Sequence, residues 1–164
     1  MKLMLYVRIV NSKIYIYRNE NNDLFKSLNI FNNNSYKYWR SHLCLDFVYS
    51  MEKVLKMTNS THIMWLEDDT ILTKDFEDVF LTENSDITNY SHLGFCCLVF
   101  ERSVLIKFLE FIKLNYLKDI PLDWMLDKLG LTWKKSKVKC AFHIGKISSR
   151  KDNIVRIVEN IIRC

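Results

Sequence analysis

The chain has 164 residues, 49% of them hydrophobic and 26% charged. That length suits one domain with a sizeable buried core, and the composition excludes a disordered protein. Lys and Arg number 24 against 19 Asp and Glu, a net charge of +5. This permits an anionic ligand but is too mild for a nucleic-acid binder, so no nucleic-acid partner is expected.

Five cysteines (Cys44, Cys96, Cys97, Cys140 and Cys164) leave at least one unpaired in any disulfide scheme. None has the CxxC spacing of a zinc site, and the adjacent Cys96 and Cys97 are poorly placed to bridge each other. Sequons at Asn33, Asn59 and Asn89 read as chance in so Asn-rich a sequence. Met1 to Val10 is too short to span a bilayer and lacks the uninterrupted apolar core of a signal peptide. The expectation is a protein soluble where it is made, or one whose anchor lies upstream.

In chain order, Leu3 to Val10 and Lys13 to Tyr17 read as two strands or a hairpin. Asn19 to Ser35 reads as a loop, with room for one turn of helix around Leu24 to Leu28. From Trp39 to Met57, Leu43, Phe47, Met51, Val54 and Leu55 recur at a period near 3.6, which predicts an amphipathic helix. Arg40 and Asp46 fall on its early turns, where a solvated arginine and an intrahelical ion pair are the simplest readings.

His62-Ile-Met-Trp-Leu-Glu-Asp-Asp69 is an apolar run that ends in three carboxylates. Ile63 to Leu66 reads as a buried strand, with Glu67, Asp68 and Asp69 where the chain leaves the sheet. In open α/β sheets ligands bind beyond the carboxyl ends of strands. Three adjacent acids repel one another unless a cation or donors compensate them, and a hard divalent metal carrying phosphates would do so. The alternative is a solvated turn or a helix start.

Asp75 to Leu81 reads as a short helix, Glu83 to Ser91 as a polar linker, and Leu93 to Phe100 as a buried strand bent at Gly94. Ser103 opens a helix with Val104, Leu105, Phe108, Leu109 and Ile112 as its buried stripe. Pro121 starts a third helix, which puts Asp123 in its first turn, where the dipole favours a negative charge. Lys134, Lys135, Lys137 and Lys139 read as a solvated strand face, with a nearby phosphate as the alternative. Phe142-His143-Ile144-Gly145 reads as an apolar turn with one His, and Asp152 to Ile162 as a closing helix. The elements together predict an α/β domain whose strands bring polar groups to one edge.

The ordered blocks WRSHLCLDF, MWLEDDTILTKDF, HLGFCCLVF, IPLDWMLDKL and FHIGKISS, spanning about Trp39 to Ser149, resemble glycosyltransferase family 54. These are the α-1,3-mannosyl-glycoprotein β-1,4-N-acetylglucosaminyltransferases. The resemblance implies a single GT-A-like glycosyltransferase domain over residues 1–164. It implies inverting, metal-dependent transfer of N-acetylglucosamine from UDP-N-acetylglucosamine to a mannose of an N-linked glycan. The implied ion is Mn2+, held by Asp69 and His143. By the same resemblance Glu67, Asp68 and Arg40 contact the donor, Asp123 is the general base, and Trp124 packs against the acceptor sugar. It also implies protein N-glycosylation in the Golgi, although no anchor segment is expected within this sequence.

Three departures stand against it. Only about 38 residues precede Trp39, so the domain is expected to be truncated at its N-terminus relative to the family. The segment before Leu93 is short, and Cys96-Cys97 replace the family's small residue and lysine. A non-catalytic glycan-binding or partner-binding member is therefore the alternative function. A metal-dependent nuclease is disfavoured, because no second acid-rich strand or strong basic face is present.

Overall fold

A computed structural model describes residues 5–10, 13–18, 35–67, 70–82, 85–131 and 133–143. Asp68, Asp69, the helix expected over 152–162 and the loop expected over Asn19 to Ser35 lie outside the described residues, save Ser35, which opens a helix instead. The elements form a mixed α/β fold: an antiparallel hairpin of β1 (Leu5–Val10) and β2 (Lys13–Arg18), a four-stranded mixed sheet, and a small two-stranded sheet. The four-stranded sheet runs β3 (His62–Leu66), β6 (Cys97–Glu101), β5 (Ile87–Asn89), β7 (Lys134–Lys135). β6 is antiparallel to both β3 and β5, while β7 is parallel to β5. In the small sheet β4 (Thr70–Leu72) pairs antiparallel with β8 (Ala141–His143).

Alternation along β3 separates two cores. Ile63 and Trp65 face a large cluster with α1 (Ser35–Met57), α3 (Arg102–Asn115) and α4 (Leu122–Lys128). Met64 and Leu66 face a smaller cluster with α2 (Phe76–Thr82), Tyr90, Cys97 and Ala141. Phe47 of α1 is fully buried in the large core, and its ring centroid lies 4.9 Å from Trp65, 5.3 Å from Phe95 and 5.8 Å from Phe108.

α3 buries the stripe its period predicts: Val104, Leu105, Phe108, Leu109 and Ile112. Its start is capped by Glu101, whose carboxylate accepts from the backbone N–H groups of Ser103 and Val104. α1 buries a wider arc than its stripe suggests, because Cys44, Leu45 and Val48 are covered as well as Phe47 and Met51. The guanidinium of Arg102 donates to the carbonyls of Leu55 and Thr58 at 2.9 and 2.7 Å, satisfying acceptors that the end of α1 leaves open.

Three expectations are corrected. The polar stretch Glu83 to Ser91 holds an interior strand, β5, because its polar side chains bond locally. Asn89 Oδ1 accepts from the N–H and hydroxyl of Ser91, and its Nδ2 donates to the carbonyl of Gly94. Only Cys97 to Glu101 of the expected strand pairs; residues 93–96 form a turn through the positive φ of His92 and Gly94. The expected turn at Phe142 begins as strand β8, since Ala141 to His143 pair with β4.

Candidate functional site

The site lies where β3 ends. Because β3 and β6 are antiparallel, Leu66 pairs with Cys97, and the Glu67 N–H donates to the Cys96 carbonyl at 3.1 Å. The Thr70 N–H then donates to the Glu67 carbonyl at 3.2 Å, and Thr70 faces His143 across the small sheet. Three backbone segments distant in sequence are thus locked side by side. Glu67 Oε2 lies 3.8 Å from His143 Nε2, with each side chain about one-third exposed. One sulfur, nitrogen or oxygen atom each of Cys96, His143 and Glu67 lies within 4.8 Å of the other two.

On the large-core side of Glu67 a cleft of about 150 Å3 opens. Arg40, Glu67 and Asp123 line it together with the rings of Trp39, Trp65 and Phe95. A mostly apolar wall with a few converging charges is the usual make-up of a small-molecule site. α1 brings Arg40, the end of β3 brings Glu67, and the first turn of α4 brings Asp123. Arg40 Nη1 donates to the carbonyl and the carboxylate of Asp119 at 3.0 and 3.2 Å, and its guanidinium sits 4.1 Å over the Tyr36 ring. Asp123 Oδ1 accepts from the Trp124 N–H at 3.1 Å. Cys44 also lines the cleft; burial pushes its thiol up to about 12 against the opposing pull of Arg40, so it stays a neutral thiol.

The residues singled out by sequence divide into four groups. Arg40, Glu67 and Asp123 share the cleft, and His143 joins Glu67 beside it. Trp124 is 61% exposed and is not among the residues that line the cleft. Asp46 is buried and meets His42 Nδ1 at 2.9 Å one turn earlier, the intrahelical pairing its position suggested. Asp68 and Asp69 lie outside the described residues.

Sequence reasoning missed Cys96 as a site residue, because it read the cysteine only for CxxC spacing, for a bridge to Cys97 and as a departure from the family pattern. The usable signal was strand pairing. Once His62–Leu66 is set antiparallel to Cys97–Glu101, the residue after one strand must neighbour the residue before the other.

The donors present suit a divalent metal, since a carboxylate oxygen, an imidazole nitrogen and a thiol sulfur are all metal ligands. Among the described residues no helix is long and apolar enough to cross a membrane. No protein-family model, no curated protein and no solved structure matches this chain.

Proposed function

We propose that the chain is a metal-dependent, inverting glycosyltransferase with a GT-A-like domain. It moves N-acetylglucosamine from UDP-N-acetylglucosamine to a mannose of an N-linked glycan. The observation that carries the reading is the shared cleft of Arg40, Glu67 and Asp123, one cation and two carboxylates set among aromatic rings. Rings of this kind suit the faces of a sugar or a nucleobase, and the volume suits one ring-sized group with the rest of the donor lying outside it.

In this reading Asp123 takes the proton from the attacking acceptor hydroxyl. Glu67 and Asp68 hold ribose hydroxyls, Arg40 faces the donor's negative charge, and Trp124 packs on the acceptor sugar. The metal would be held by Asp69 and His143; when bound, it neutralises charge on the departing diphosphate.

The test is incubation with UDP-N-acetylglucosamine, Mn2+ and a biantennary N-glycan acceptor. Transfer is expected, and it should disappear in Asp69→Ala and Asp123→Asn. No transfer together with no UDP binding by calorimetry overturns the reading. A second reading, glycan binding without transfer, is favoured by the engagement of Arg40 with Asp119, which ties up donors that a diphosphate would need. Acceptor binding that ignores UDP and metal would select it.

A further inference from the structure

We infer that Glu67, Cys96 and His143 form a site for one thiophilic divalent ion, taking Zn2+ in preference to Mn2+. The ligand set is oxygen, sulfur and nitrogen, three protein ligands to which solvent would add a fourth at the part-exposed Glu67 and His143. That is the coordination number of an open zinc site. A tetrahedral zinc ion separates such donor atoms by roughly 3.4–3.6 Å, given ordinary zinc–ligand bond lengths. Glu67 Oε2 and His143 Nε2 already stand 3.8 Å apart, and all three ligand atoms lie within 4.8 Å of one another. Small side-chain adjustments on a fixed backbone therefore close the site.

The backbone is fixed by the bond from Glu67 N–H to the Cys96 carbonyl and by the Thr70–His143 register pair. Thr70 Oγ1 lies 3.0 Å from Cys96 Sγ, placed to donate to the thiolate and hold it in position. Sulfur decides the choice of metal. Thiolate favours borderline and soft ions, whereas Mn2+ prefers oxygen, and Mn2+ is the weakest binder of the first-row series. On binding, the Cys96 thiol releases its proton to solvent as the sulfur–metal bond forms.

From the transferase reading this proposal takes only the presence of a divalent ion at His143; it replaces Mn2+ with Zn2+, and Glu67 then ligates the metal in place of holding a ribose hydroxyl. The full chain, stripped with chelator, is titrated with Co2+ as a coloured stand-in for Zn2+. A sulfur-to-cobalt charge-transfer band should appear, vanish with one added equivalent of Zn2+, and survive an about 100-fold excess of Mn2+. Cys96→Ser should abolish the band while Cys97→Ser keeps it. His143→Ala and Glu67→Gln should weaken Zn2+ binding by at least about 10-fold, and Thr70→Val by about 10- to 100-fold.

Circular dichroism in chelator shows which variants fold. Because His143 and Glu67 are partly exposed, their variants decide the matter if Cys96→Ser does not fold. A missing band, a band that survives Cys96→Ser, or Mn2+ binding as tight as Zn2+ overturns the proposal. UDP calorimetry on the same sample reads the transferase separately: Zn2+ binding without UDP binding sinks that reading and leaves this one standing.

Discussion

Arg40 and Asp119 meet across 79 positions of sequence, with Arg40 Nη1 donating to both the carbonyl and the carboxylate of Asp119. Asp119 sits at φ 56°, a left-handed conformation that Asp tolerates better than most residues. This pair ties α1 to the bend just before Pro121 and so helps to set where Asp123 enters the cleft. Both side chains are mostly shielded, so the pair is expected to contribute on the order of 1 kcal/mol. A double-mutant cycle of Arg40→Ala and Asp119→Asn in urea unfolding measures it. No coupling between the two changes would mean that the pair does not hold α4 in place.

Phe47 is the centre of the large core, contacting rings from β3, from the turn before β6 and from α3. Phe47→Ala is expected to cost about 3–5 kcal/mol, through lost transfer free energy and the cavity left behind. Equilibrium denaturation reads this directly. A loss below about 1 kcal/mol would be inconsistent with a side chain so enclosed.

Glu101 caps α3, and hydrogen bonds from the Ser103 side chain and backbone hold its carboxyl below the usual 4.5. A carboxyl lowered in the folded state stabilises the fold above its unfolded value, and that contribution is lost as pH falls through the lower folded value. The native chain should therefore melt above Glu101→Ala at pH 7, and the gap should narrow as pH drops below about 4.5. A gap independent of pH would show that charge plays no part in the cap.

Cys97 is buried, and burial raises its thiol to about 12, as it does for Cys44. Only thiolate reacts with alkylating agents, so both should resist iodoacetamide in the folded protein at pH 8 and react on unfolding. Peptide mass mapping tests this, and rapid native labelling of either would contradict the burial.

Trp124 offers a contrast, since so exposed a ring carries little of the fold. Trp124→Ala should shift stability by no more than about 0.5 kcal/mol. If the ring packs on an acceptor sugar, the same change should raise KM for acceptor while leaving UDP affinity unchanged. Loss of stability instead would assign the ring to packing.

The amino-acid pattern by itself determined the long helices and the apolar strand. Period and composition act locally, so α3 buries the very stripe its sequence spells out, and Ile63 and Trp65 alternate inward as a strand must. It also marked Glu67 as part of an acid cluster at a strand end, whereas Arg40, Asp123 and His143 read locally as ordinary helix and turn residues and gained roles only through the family resemblance. The tertiary structure decided what that pattern could not carry. The antiparallel pairing of β3 with β6 set Cys96 beside Glu67, and the pairing of β4 with β8 brought in His143. β5 became an interior strand because its polar groups found partners within a few residues. Strand partners and buried hydrogen bonds depend on contacts between distant segments, and the physical terms that choose among them act only once the chain has folded.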